Sequence, residues 1–161
     1  MKFSRAGQPD CLEWKSATSR ESRLMTREET DLDIEELATL AHEVMDRAYA
    51  PYSRFRVGAA LEAEDGRLFG GCNVENASYP VTLCAERVAL GAAVAAGATR
   101  FRRILICSSG TDPASPCGMC RQALSEFGVD LEVISEGLSG ARQSWVLSEL
   151  LPGHFGPDGL P

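Results

Sequence analysis

Cys84-Ala85-Glu86 and the later Pro116-Cys117-Gly118-Met119-Cys120 set the tightest limit on how this chain can fold. Three thiols in two separated segments suit a zinc ion held by three sulfurs, its fourth tetrahedral position open for water. A closed structural site would need a fourth protein ligand. Any fold that uses these residues together must therefore bring the two segments to one point and place Glu86 beside it. A Cys-x-x-Cys pair alone would say much less, because a thiol-disulfide redox motif has the same spacing.

Length and charge narrow the setting. With 161 residues the chain is expected to form one domain with a sizeable core. Its net charge of −7, from 23 acidic against 16 basic residues, suits a phosphate backbone poorly, so no nucleic-acid partner is expected. Arg100, Arg102 and Arg103 read as a solvated strand entrance. The N-terminus lacks the apolar run of a signal peptide, and Gly91 to Ala98 is too short to cross a bilayer. A cytoplasmic protein with reduced cysteines is the expectation, which favours metal ligands over disulfides. Residues 1–31 are rich in Ser, Arg, Glu and Thr without sustained periodicity. They read as a disordered or loosely docked extension, with Met25 a possible start. Residues 32–156 form the expected domain, and 157–161 a short tail.

Periodicity supplies the elements. Ile34, Leu37, Ala41, Val44, Met45 and Ala48 make one helical stripe, with Asp33 as N-cap and Pro51 as stop. Val57–Ala63 and Leu68–Val74 read as a hairpin turning at Asp65-Gly66. An alanine-rich helix covers Leu83–Ala96, an apolar strand Ile104–Cys107, and a third helix 118–127 before Gly128 as C-cap. Leu131–Ile134 and Trp145–Leu147 complete the strands. Helices alternating with apolar strands predict an α/β sandwich around one sheet.

On this reading Cys84 opens the second helix, while Cys117 and Cys120 open the third. Helix N-termini carry unpaired N–H groups and partial positive charge, which favour thiolates. Three thiolates and Zn²⁺ leave a formal charge of about −1, which Arg87 is placed to offset by hydrogen bonding to a ligand sulfur. Glu86, two residues from Cys84, does not share its helical face, so it suits flanking a metal-bound water better than ligating the metal. A carboxyl there, desolvated and near negative sulfur, would have a raised pKa suited to proton transfer.

These motifs carry a family resemblance. A ligand-x-Glu element followed by Pro-Cys-x-x-Cys is the zinc-deaminase arrangement. Leu83-Cys84-Ala85-Glu86-Arg87 with Pro116-Cys117-Gly118-Met119-Cys120-Arg121-Gln122 resembles the cytidine deaminases. Pro51 to Ala60, Gly71 to Pro80 and Glu149-Leu150-Leu151-Pro152 agree in the same order. The resemblance runs from about Asp33 to Gly156. It implies a three-layer α/β/α sandwich around one mixed sheet of about five strands, and hydrolytic deamination of cytidine and deoxycytidine to uridine and deoxyuridine. It further implies Cys84, Cys117 and Cys120 as ligands of one Zn²⁺ per chain, with Glu86 as proton shuttle. Asn73 and Glu75 match a pair that binds the ribose 3′-hydroxyl. Phe55 matches an aromatic near the pyrimidine, and the Ala77 and Ala85 backbones match groups that read its polar edge. Phe155, and Tyr79 with it, would reach a neighbouring subunit's site in a homotetramer.

The residues alone would support plainer readings. Asn73 and Glu75 alternate at a strand end and so share one side, as hairpin-edge polar residues often do. Phe55 and Tyr79 would serve as core, and Cys72 and Cys107 as buried, inert thiols. His42 and His154 have no ligand partner at useful spacing. The competing functions are a Cys-x-x-Cys redox protein, a structural zinc module, and a deaminase of another cytosine nucleoside such as an antibiotic. Arg56 stands where the family often has proline, and the N-terminal extension has no family counterpart.

Overall fold

The apolar runs pair into one mixed sheet. The computed structural model describes the backbone of residues 27–156 and the side chains from residue 34. The expectations for residues 1–26, including a start at Met25, and for the 157–161 tail lie outside the described residues. Strands β1 (Val57–Ala63), β2 (Leu68–Cys72), β3 (Phe101–Ser108), β4 (Glu132–Glu136) and β5 (Arg142–Val146) stand in the order β2-β1-β3-β4-β5. Only β3 and β4 run parallel; β1 is antiparallel to both β2 and β3, and β5 to β4. The β1–β2 hairpin turns at Gly66, whose φ of 85° suits a residue without Cβ.

Both faces of the sheet are covered, which explains why β1 and β3 read as continuous apolar runs. Helix α1 (Arg27–Met45) lays Leu37, Ala41 and Met45 over Ala60, Leu105, Cys107 and Ile134. The opposite face, with Ala59, Leu61, Ile104, Ile106 and Val133, packs against helix α2 (Ala85–Ala95) and Leu124 of helix α3 (Gly118–Ser125). Alternate residues of one strand thus serve two cores, as the period of two demands. The three-layer α/β/α sandwich expected from the sequence is the observed architecture.

Several local expectations change. Helix α1 begins at Arg27, so Asp33 is an interior position; the Arg27-Glu28-Glu29 run consists of good helix formers. It ends at Met45, well before Pro51, because the following chain turns to pair with the end of the hairpin: Tyr49 N–H donates to the Asn73 carbonyl and Glu75 N–H to that of Tyr49. Strand β2 stops at Cys72, and Val74 instead bridges Tyr49 and Leu83. Leu147 leaves β5 to start the short helix α4 (Leu147–Leu150). Cys72 is half-buried, whereas Cys107 is buried as expected.

Arg103 is no solvated entrance residue. It is 3% exposed and paired with Glu62, its cross-strand neighbour, which also accepts from Arg102. His42 also has a partner that spacing did not reveal: its Nε2 lies 2.8 Å from Glu136 Oε1, 94 residues away. Arg142 holds the other Glu136 oxygen and reaches Glu35 on α1 at 2.6 Å. This network ties α1 to the β4–β5 edge. His42→Ala should lower unfolding free energy by about 1 kcal/mol in urea titration, the worth of one part-buried hydrogen bond, without altering activity.

Candidate active site

Antiparallel pairing puts the end of β2, the start of β1 and the end of β3 together at one end of their strands: Gly58 faces Cys72, and Val57 faces Ser108. Helices α2 and α3 both begin there. Cys84 and Cys117 occupy their N-cap positions with extended backbone, and Cys120 sits buried in the first turn of α3. The Cys84 and Cys117 sulfurs lie 3.8 Å apart, and those of Cys117 and Cys120 3.5 Å apart. Sulfurs at roughly 2.3 Å from a tetrahedral zinc would be about 3.8 Å from one another, so the spacing fits. All three ligand atoms lie within 4.8 Å of each other, without a fourth His, Cys, Asp or Glu among the described residues. That is the three-donor set of an open zinc site.

The surroundings favour thiolate. Hydrogen bonding with the Cys120 thiol, then with Cys117, and the nearby Arg87 cation outweigh burial and push Cys84 down to about 5. The same pairing with Cys84, together with burial, pushes the Cys120 thiol up. Arg87 donates to the Thr82 carbonyl at 2.8 Å, while its buried Nε has no hydrogen-bond partner among the described residues. A buried, unpartnered N–H beside sulfur fits a site completed by negative zinc thiolates.

Glu86 lies in the first turn of α2, 5% exposed, and lines a cavity of about 320 Å³ with Cys84 and Cys117. Burial, then the Cys84 charge, raises its carboxyl above the ordinary range. Phe55, Asn73, Glu75 and Ala85 line the same cavity. Asn73 Oδ1 accepts from Val57 N–H at 2.8 Å, and its Nδ2 donates to the Phe55 carbonyl at 2.9 Å, leaving one amide hydrogen. The Glu75 carboxylate accepts from the backbone N–H groups of Tyr52 and Ser53 and from the Ser53 hydroxyl.

Three candidates lie apart from this cavity. Tyr79 is 71% exposed, edge-on to Tyr52 with ring centres 6.1 Å apart. It lines an adjoining hollow of about 390 Å³ that shares Ser53, Glu75 and Thr82 with the first. Ala77 is exposed and lines neither. Phe155 is 61% exposed; Gln122, two residues past Cys120, both accepts from its N–H and donates to its carbonyl. Sequence reasoning missed Ser53, Thr82, Ser108 and Ser115 in the lining, since small hydroxyl residues carry no spacing signal. It also missed Arg121, which anchors the cysteine loop by donating to the Pro116 and Leu150 carbonyls at 2.7 and 2.9 Å.

Residues 32–136 match the family described as cytidine and deoxycytidylate deaminase zinc-binding region. The chain belongs to the cytidine deaminase family. A cytidine deaminase of Sporosarcina psychrophila is 41% identical over 130 residues, which cover 80% of this chain and 96% of that protein. The crystal structure of cytidine deaminase from Burkholderia pseudomallei superposes with a TM-score of 0.72 at 44% identity, over 75% of this chain and 98% of that one. The blasticidin-S deaminase of Bacillus cereus is more distant, at 32% identity over 76% of this chain and 89% of its own. Cytidine deaminase membership and the sulfur geometry agree: the site takes one zinc.

Proposed function

We propose that this protein hydrolyses cytidine and deoxycytidine to uridine and deoxyuridine, releasing ammonia, as a step of pyrimidine salvage in the cytoplasm. The observation that carries this is a buried Glu86 beside three converging sulfurs, in a cavity that Asn73 and Glu75 also line. The cavity volume falls in the range of small-molecule sites.

Cys84, Cys117 and Cys120 would hold zinc, which supplies Lewis-acid activation of a water molecule. Glu86 would accept a proton from that water, give it to pyrimidine N3 as oxygen adds at C4, and carry the proton of the resulting C4 hydroxyl to the departing amine. Its raised pKa suits all three transfers. Phe55 walls the base, the Ala85 and Ala77 backbones would read its polar edge, and Arg87 offsets charge on the sulfurs. Asn73 and Glu75 bind the ribose 3′-hydroxyl, a donor for a carboxylate that is already ionised. A redox role for Cys117 and Cys120 would leave Cys84 and Glu86 without work.

Exposed aromatic side chains near the mouth and on the C-terminal segment support a homotetramer, with Tyr79 and Phe155 of one subunit completing a neighbour's site. The deaminase domain would span 32–156. No helix among the described residues is long and apolar enough to cross a membrane.

Glu75→Ala should raise KM for cytidine roughly 10- to 100-fold with kcat little changed, the worth of a hydrogen bond to a charged group. Steady-state kinetics measures the split. Ultraviolet assays with cytidine, deoxycytidine and blasticidin S side by side test the substrate assignment. Turnover of the first two is expected; a zinc-loaded protein that deaminates neither would refute it.

A further inference from the structure

We infer that Ser53 is a positioning residue that sets the ribose-binding carboxylate and the base-binding aromatic with one hydroxyl group. The inference rests on the deaminase reading above. Ser53 Oγ donates to Glu75 Oε1 and accepts from the Phe55 backbone N–H at 2.9 Å. The hydroxyl therefore joins two residues at different ends of the proposed substrate, and its single hydrogen and lone pairs suit both contacts.

The local backbone is shaped for this double contact. The chain curls after Pro51, with Arg54 N–H reaching the Ala50 carbonyl at 3.1 Å. Tyr52 and Ser53 N–H groups then point at Glu75 Oε2, at 2.8 and 3.2 Å. Arg54 takes a φ of 59°, an unusual conformation for a residue with a side chain, and Phe55 N–H folds back onto Ser53 Oγ. With Oε2 occupied by two backbone donors, Oε1 is the oxygen left for substrate, and Ser53 is the only side chain among the described residues that hydrogen-bonds it. Its hydroxyl is also the largest influence holding the Glu75 carboxyl below its ordinary range. Removing it would leave Oε1 without its side-chain partner and the carboxylate held through Oε2 alone.

The test compares cytidine with 3′-deoxycytidine on zinc-loaded, full-length wild type, Ser53→Ala and Ser53→Thr. Wild type should prefer cytidine. Ser53→Ala should raise KM for cytidine about ten-fold, in keeping with the loss of one charged hydrogen bond, and narrow the preference over 3′-deoxycytidine. Its kcat should stay within about two-fold of wild type, and Ser53→Thr should restore KM and preference. A merely structural role would lower the active fraction for both substrates alike and leave KM and preference unmoved; that result would overturn the inference while leaving the ribose reading intact. Wild type that ignores the 3′-hydroxyl would instead remove the ribose reading of Glu75, and the Ser53 inference with it.

Discussion

Glu86→Gln should keep one zinc per chain and lose deamination by roughly 10⁴-fold. Glutamine matches glutamate in size but cannot accept or release a proton, so all three proposed transfers fail together. Zinc should stay because the three sulfurs form a site without help from the carboxylate. The fold should survive as well, since the buried position loses a costly charge and keeps its volume. Metal analysis alongside kcat measures both halves of this result. Activity within ten-fold of wild type would remove Glu86 from the chemistry.

The second large effect lies one layer away. Gly71→Ala should cost about 3 kcal/mol of stability, the upper end for forcing atoms into a packed interior, and weaken zinc retention. A Cβ on Gly71 would meet Ala89 N at 2.3 Å and Ala85 O at 2.5 Å. Both are backbone atoms of α2, so no rotamer change relieves the clash; the helix must lift from the sheet. The first turn of that helix carries Ala85 and Glu86, with Cys84 as its cap, so the shift reaches the site. Gly91→Ala in the same helix is the control. Beyond its chain neighbours and its own helix backbone, no described atom lies within 4 Å of a Cβ built there, and exchanging a helical glycine for alanine should add up to about 1 kcal/mol. Urea unfolding with zinc quantitation tests the pair; a Gly71→Ala protein as stable as wild type would contradict the close helix–sheet contact.

Legibility in the sequence followed the range of the interactions. Strand β1 is read with its bounds, because it is a doubly buried run closed by a hairpin turn. The zinc cysteines are legible because metal geometry restricts which residue types and short spacings can work. Arg103 was misread, and the His42 pairing was invisible, because their partners, Glu62 and Glu136, lie on strands 41 and 94 residues away in sequence. Pro51 looked like a helix stop, yet the pairing of Tyr49 with Val74 takes the chain out of the helix first. Ser53 went unnoticed for a different reason. Its neighbours Phe55 and Glu75 stood out as chemistry-bearing types, whereas one hydroxyl among many gains meaning only once a turn aims it. The placement of Phe155 depends on Gln122, a backbone clamp that no periodicity announces.

The proposed chemistry requires Cys84, Cys117 and Cys120 to hold one zinc beside which Glu86 deaminates a cytosine nucleoside. Titrating zinc into metal-stripped protein while following conversion of cytidine to uridine tests it most directly. Activity should rise in proportion to bound zinc and saturate at one ion per chain, with the three thiols protected from alkylation at that point. Equal turnover by zinc-free protein, or one bound zinc with all three thiols still reactive, would contradict it.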